Sequence, residues 1–316
     1  MRDEVLLSVD IKKFRPEADI KNGCVVAVGS FDGVHIGHRR MIEILVSQSK
    51  RLCVPSVVFT FDPDDNPKSD AKLLASSEKK EELLSELGVD VVASALFSEI
   101  RSMSASDFAE GVLFGMLNSV CVVCGYDFRF GNGREGDVEL IKRLLCPKGV
   151  EVITPDAVCD GGKPVSSTNL RALISDGSVD EANRLLLRKY SLSGIVERGA
   201  MLGRRLGFPT INQKIPKTAV CPRFGVYAVE CLLDGKAYHG VANVGVKPTC
   251  GENHIPVCET FLFDFSGDCY GKKAEIFFVK FIREERKFTS LEELRVQVER
   301  DKASARSILT KGECLK

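Results

Sequence analysis

Two histidines stand three apart in "HIGH", residues 35 to 38, and the whole chain has only four: His35, His38, His239 and His254. They follow "VVAVGSFDGV", which reads as a strand ending at Gly29, then a tight turn through Asp32 and Gly33 into a helix, "HRRMIEILVSQ". A strand-to-helix turn leaves unpaired N–H groups at the positive end of a helix dipole, a place that favours phosphate. Imidazoles there add donors for phosphate oxygens and for charge developing in a transition state. Zinc is the competing chemistry, but it takes three or four ligands. No cysteine is adjacent, and the remaining histidines are far away in sequence.

Three further stretches carry chemistry. "VSSTNLR" puts Ser166, Ser167 and Thr168 at the start of a helix with Arg171 one turn inside, a second phosphate grip or a plain cap. "GYDFRFGNGREGD" mixes Phe128 and Phe130 with Arg129 and Arg134 after a strand, which suits a flat ring or a simple loop. "RGAMLGRRLGFPTINQ" ends in Thr210 and Asn212, two apart on extended chain and so facing one side, where two neutral oxygens suit Mg²⁺. Glu259 in "VCETFLFDF" is a carboxylate in an apolar strand, either a functional acid or an exposed residue of an edge.

The elements that must position these residues change character along the chain. Up to about residue 156, β-rich runs at 24–30, 55–61, 90–97, 119–125 and 150–156 alternate with helical patterns. Ser104 with Asp107 forms a capping-box pattern before one helix, and Asp137 precedes another. Alternation of this kind predicts an α/β, Rossmann-like domain with a parallel sheet between helices, its ligands at the carboxyl ends of the strands. From about residue 190, strands follow one another with little helix, and Asp234-Gly235 marks a hairpin. This half predicts a small antiparallel β-barrel closed by a C-terminal helix that Ser290 and Glu293 cap. Ser178 and Glu181 are expected to cap a linking helix, and the domain boundary is expected between residues 187 and 188.

Bulk properties narrow the class. The 316 residues carry 44 basic and 44 acidic side chains, so no net field draws the chain to nucleic acid or to an anionic membrane. Hydrophobic residues make up 44%, as in a globular protein, and no run approaches the roughly 18 apolar residues of a spanning helix. The start shows no signal-peptide pattern, so a cytoplasmic protein is expected. The twelve cysteines are scattered among apolar neighbours and read as small buried hydrophobes. "CVVC" at 121–124 lies in a strand, where residues three apart point to opposite faces, a poor dithiol or metal pair.

"GSFDGVHIGH", "GYDFRFGNGREGD" and "VSSTNLR", in this order, resemble the FAD synthetase half of the bifunctional riboflavin kinase/FAD synthetase family. "GRRLGFPTIN", "FGVYAV", "ANVGVKPT" and "ETFLFDF…YGKKAEIFFVKFIREERKF" resemble its riboflavin kinase half. The resemblance implies two ATP-dependent steps: riboflavin to FMN, then FMN to FAD with release of pyrophosphate. It implies that His35 and His38 act in the second step, with Gly29, Phe31, Asp32, Ser166, Ser167, Thr168 and Arg171 on the nucleotide. By the same resemblance Asp127, Phe128 and Arg129 meet the flavin. In the barrel half it implies Thr210 and Asn212 as holders of Mg²⁺–ATP, Gly199 and Gly203 on the nucleotide, and Glu259 as general base. Riboflavin, FMN and ATP are thus the expected partners, with no nucleic acid and no membrane, and nothing in the sequence sets an oligomeric state.

The chain departs from the family pattern at several places. Asp64 stands where a histidine is expected, Leu187 and Lys189 replace a glycine and a proline, and Lys247 replaces an arginine. An enzyme working only as a kinase, its other half weakened or retargeted, is the alternative reading. A nucleotide or flavin sensor is disfavoured because binding alone requires neither Glu259 nor the histidine pair. A tRNA synthetase is disfavoured because Ser-Ser-Thr stands where a Lys-rich loop is expected.

Overall fold

The structure, a computed structural model, describes residues 9–61, 72–198, 210–246 and 255–312. It divides into two compact units, Met1–Ser166 and Ser167–Lys316.

The first unit is built on a six-stranded sheet. Its strands are β1 (Val9–Lys13), β2 (Cys24–Val28), β3 (Ser56–Phe61), β4 (Val91–Ala95), β5 (Ser119–Cys124) and β6 (Glu151–Ile153), in the order β1-β4-β3-β2-β5-β6. All neighbours are parallel except β1, a polar edge strand that runs antiparallel to β4 and that the sequence pattern did not mark. Chain order reverses between β2 and β5, the switch point at which open α/β sheets open a crevice for ligands. Helices α1 (Ile36–Leu52) and α2 (Ser77–Glu86) serve one face, where Val25, Ala27, Val58, Ile42, Leu45 and Leu84 form a core. On the other face, Val26, Val28, Phe59, Phe108, Leu113 and Ile141 form a second core. Cys121 belongs to the first core and Cys124 to the second, so "CVVC" is split across the sheet as strand alternation requires. Burial pushes the Cys121 thiol up to about 12, far from thiolate chemistry.

Between β4 and β5 lie the short α3 (Phe97–Ile100) and a second helix at Asp107–Met116. The latter has π-type hydrogen bonding over its length, as in Leu117 N–H to Val112 O at 3.0 Å, where a regular α-helix was expected. Its start is as the sequence indicated: Ser104 Oγ accepts the Asp107 N–H at 3.0 Å. Helix α4 (Val138–Leu145) is capped by Asp137, which accepts the Leu140 N–H at 3.0 Å. A two-stranded ribbon, β7 (Cys159–Asp160) and β8 (Lys163–Pro164), completes this unit.

The second unit opens with α5 (Ser167–Asp176) and α6 (Val179–Leu186). The expected side-chain cap by Ser178 is absent; its backbone is instead held by the Leu173 carbonyl at the turn from α5. The strands are β9 (Tyr190–Ile195), β10 (Thr210–Lys214), β11 (Gly225–Leu233), β12 (Lys236–Val246), β13 (Pro256–Leu262) and β14 (Lys273–Arg283). They form an all-antiparallel sheet in the order β10-β13-β12-β11-β14-β9. A bridge between Glu197 and Asn212 joins the two ends into a barrel. The β11–β12 turn puts both Asp234 (φ 51°) and Gly235 (φ 73°) in the left-handed region, the turn whose twist matches a hairpin. Helix α7 (Leu291–Gly312) packs Ala305 and Leu309 on Val226, Ala228, Val241 and Phe263 of the barrel's outer face. At its start Ser290 Oγ accepts the Glu293 N–H, but the Glu293 carboxylate reaches back to Thr289 rather than to Ser290.

The strands of the second unit begin at Tyr190, whereas the packing changes earlier than the expected boundary between residues 187 and 188. Helix α6 lies on β14 and β9, and Asn183 fastens it: Nδ2 donates to Phe278 O at 2.8 Å and Oδ1 accepts the Tyr190 N–H at 2.6 Å.

Candidate active sites

The turn between β2 and α1 is strained and buried. Phe31 (φ 49°) and Val34 (φ 45°) are both left-handed, a conformation that a β-branched residue adopts only when its surroundings impose it. Both are fully buried, and the buried Asp32 carboxylate accepts the Leu74 N–H at 2.9 Å. Asp32 therefore ties the turn to the chain before α2, and Gly29 donates its N–H to Phe59 O. These residues shape the turn that presents the histidines.

His35 is the N-cap of α1, and its Nδ1 accepts the His38 N–H at 3.4 Å. With Nδ1 as acceptor, a neutral His35 ring carries its proton on Nε2. The two imidazoles stack with centroids 3.7 Å apart, and Phe31 lies 5.2 Å from His38. A Cβ on Gly37 would sit 3.2 Å from the His35 ring, so the glycine of the motif is what lets that ring fold against the helix start. Burial above all, with the charges of His35 and Lys80, holds the His38 pKa well below 6.5, and its buried Nδ1 has no partner. His38 is thus held neutral at physiological pH, an imidazole rather than an imidazolium.

Val165 O passes 3.8 Å from the position of that Gly37 Cβ, which brings the chain entering "SSTNLR" alongside the histidine turn. Ser166 ends the first unit, whereas Ser167 and Thr168 form the first turn of α5 with Arg171 one turn on, as the sequence indicated.

After β5, at the other side of the switch point, the loop contributes to a cavity lined by Phe61, Phe97, Phe108, Phe130, Arg101 and Arg129. Of the residues expected at the flavin, Arg129 lines this cavity and pairs with Asp137 at 3.0 Å. Phe128 instead stacks on Phe130, centroids 5.4 Å apart and nearly parallel, and Asp127 is exposed beside Gly125. Sequence reading missed Phe61, Phe97 and Arg101. Each looks like an ordinary strand or helix residue until the sheet brings three strand ends together.

In the second unit, cross-strand register sets Asn212, Glu259, Asn243, Val226 and Arg283 in one row across β10, β13, β12, β11 and β14. β13 lies between β10 and β12, so Glu259 is on an interior strand rather than an edge. It is half-buried in a cavity of about 250 Å³ that it shares with Thr210, Asn243, Arg283, Glu285 and Asp301. Asp301 of α7 is buried and takes Arg283 through two bonds, Nε to Oδ1 at 2.9 Å and Nη2 to Oδ2 at 2.7 Å. Gln297, one turn earlier, donates to the same carboxylate at 2.8 Å. Glu285 accepts from Asn243 Nδ2 at 3.1 Å. Neither Arg283 nor Asp301 was singled out from sequence; a Gln and an Asp four apart on one helix face were the available signal.

Thr210 faces the cavity from the strand beside Glu259, and Asn212 turns its Nδ2 toward Thr210 O at 3.4 Å. A hydroxyl and an amide oxygen are ligand types that Mg²⁺ accepts beside water and phosphate, but only Thr210 lines the cavity, and Asn212 is buried next to it. Among the described residues there is no cluster of three His, Cys, Asp or Glu for a softer metal. Gly199 and Gly203 lie outside the described residues, as do Asp64 and Lys247.

Comparison with known proteins accounts for both units. The FAD synthetase family model matches residues 17–169, and the riboflavin kinase model matches residues 186–309. The bifunctional riboflavin kinase/FMN adenylyltransferase of Escherichia coli K12 is 37% identical over 293 residues, covering 90% of this chain and 93% of its own length. The chain belongs to the bifunctional riboflavin kinase/FMN adenylyltransferase family. The member from Bacillus subtilis is 35% identical over 89% of this chain and 91% of its own length. A crystal structure described as a macrolide-efflux protein from Streptococcus pneumoniae superposes with a TM-score of 0.82 at 29% identity, covering 92% of this chain and 96% of that one. In this family member, no described helix is long and apolar enough to cross a membrane.

Proposed function

We propose that the barrel unit phosphorylates riboflavin and the α/β unit adenylylates the resulting FMN, with ATP as co-substrate of both steps. The observation that carries this division is the placement of a half-buried carboxylate, Glu259, in one unit and of a stacked histidine pair at a helix start in the other.

The two nucleophiles differ in what they need. The 5′-hydroxyl of riboflavin must lose a proton as it attacks the γ-phosphorus of ATP, and ADP leaves with the electrons of the broken P–O bond. Glu259 takes that proton, while Asn243 and the Arg283–Asp301 pair fix the walls of its cavity. Thr210 and Asn212 would hold Mg²⁺, which when bound neutralises phosphate charge. FMN arrives with its phosphate already ionised, since the second pKa lies at about 6. One phosphate oxygen attacks the α-phosphorus of ATP, the bond to the bridging oxygen of the β-phosphate breaks, and pyrophosphate leaves. This step needs positioning and charge stabilisation rather than a base. The N–H groups opening α1 and the His35 Nε2 proton supply donors, and the aromatic cavity holds the flavin ring between phenylalanines.

The test is to incubate the pure protein with riboflavin, ATP and Mg²⁺ and to separate the flavins by chromatography. FMN should appear first and FAD after it. FMN without FAD at high ATP would mean an enzyme that works only as a kinase, and neither product would mean a binding protein.

A further inference from the structure

Helix α2 reads "SEKKEELLSE", and its lysines would ordinarily lie on a solvated face. Lys79 does, paired with Glu82 at 3.0 Å. Lys80 shares the inward face with Leu83 and Leu84 and is only 6% exposed. Its ammonium donates to Thr60 Oγ1 at 3.1 Å and to Phe61 O at 3.3 Å, both at the carboxyl end of β3. Thr60, fully buried, donates in turn to Ser30 O at 3.1 Å, within the strained turn that leads to the histidines. Phe61 is a wall of the aromatic cavity. One buried cation therefore grips, through two adjacent residues, both the histidine turn and the flavin cavity. Burying an ammonium is costly, and a methionine of similar length would fill the same space without that cost.

We propose that Lys80 is a positioning residue for adenylyl transfer: it locks the end of β3 to the Ser30 turn and so fixes the distance between the FMN cavity and the phosphate site at the histidines. Phe61 lines the flavin cavity and Ser30 belongs to the histidine turn, so the junction that Lys80 clamps joins the two places that must hold FMN and ATP in register. The Lys80 charge also helps to keep His38 neutral.

The inference rests on the assignment of FMN adenylylation to this unit, and its test keeps the two separable. In full-length Lys80→Met, steady-state FAD formation from supplied FMN and ATP should show kcat lowered about 10- to 100-fold, the size of a misplaced reacting group. KM for FMN and for ATP should stay within a few-fold, riboflavin phosphorylation by the same sample should match wild type, and an unchanged circular dichroism spectrum with a cooperative urea transition of the α/β unit certifies the fold. FAD turnover within about twofold of wild type, or a loss confined to KM, would overturn the proposal. Should Lys80→Met not fold, Thr60→Val cuts the link to Ser30 with little change of shape. A lowered kcat at unchanged KM is again expected, and wild-type kcat would refute the clamp. If wild-type protein makes no FAD, it is the assignment of adenylylation that fails.

Discussion

At the scale of single residues, the two sites use opposite protonation logic, and this makes them separable by mutation. Glu259→Gln keeps shape and removes basicity, so riboflavin phosphorylation should fall about 10²- to 10⁴-fold while FAD formation from supplied FMN survives. His35→Ala should do the reverse, lowering adenylylation roughly 10²-fold through loss of a transition-state donor, with FMN production near normal. Chromatographic assay of each variant with riboflavin and with FMN checks both arms; equal loss of both activities in either variant would contradict the division of labour. His38 adds a dependence on pH. Its folded pKa is pushed well below the ordinary value of 6.5 by burial first, then by the charges of His35 and Lys80. As pH falls below that ordinary value, the unfolded chain takes up a proton that the folded chain refuses, so stability is lost toward acid. Urea unfolding of wild type and His38→Gln between about pH 5 and 8 should show a steeper acid loss in wild type than in the variant.

At the scale of elements, the departures from the family pattern find physical meaning where they fall among the described residues. Leu187, standing where the family has glycine, is the C-cap of α6 with φ 53° and is 60% exposed. A left-handed leucine costs about 1–2 kcal/mol, of which glycine's greater freedom in the unfolded chain gives back less than about 1 kcal/mol. Leu187→Gly should therefore stabilise the second unit by about 0.5–1 kcal/mol, read from its unfolding midpoint in urea. Lys189, in place of proline, is used differently: its ammonium pairs with Glu230 of β11 and so adds a contact between β9's lead-in and the barrel. Half-buried and open to solvent on one side, that pair contributes no more than about 1 kcal/mol to stability.

At the scale of the whole chain, the boundary of the kinase unit is a matter of packing as well as of strand texture. Val179, Ala182, Leu185 and Leu186 of α6 are buried, and Asn183 joins α6 to β14 and to the start of β9. A fragment spanning residues 167–316 should fold and phosphorylate riboflavin. One spanning residues 188–316 loses the Asn183 bonds and that apolar face, and should be less stable by at least about 2 kcal/mol. Thermal unfolding of the two fragments, each assayed for FMN formation, decides; equal midpoints would place α6 outside the working unit.

Much of this was legible in the chain itself. Period-two and period-3.6 patterns are local, so the two fold classes, the hairpin at Asp234-Gly235, and the helix starts at Asp137 and Ser290 could be read directly. The histidine turn was legible for the same reason, because its chemistry is packed into a few consecutive letters. What the tertiary structure decided is non-local. Sheet order placed Glu259 on an interior strand and set it in one row with Asn212, Asn243 and Arg283, since register across strands is written in no single stretch of sequence. Sheet order also brought Phe61, Phe97 and Phe130 from three strand ends to one cavity. Helix rotation turned Lys80 inward while its neighbour Lys79 stayed at the surface, a choice made by what β3 offers the ammonium rather than by charge or propensity. Residue types fixed which chemistries were available; only packing determined which of them face one another.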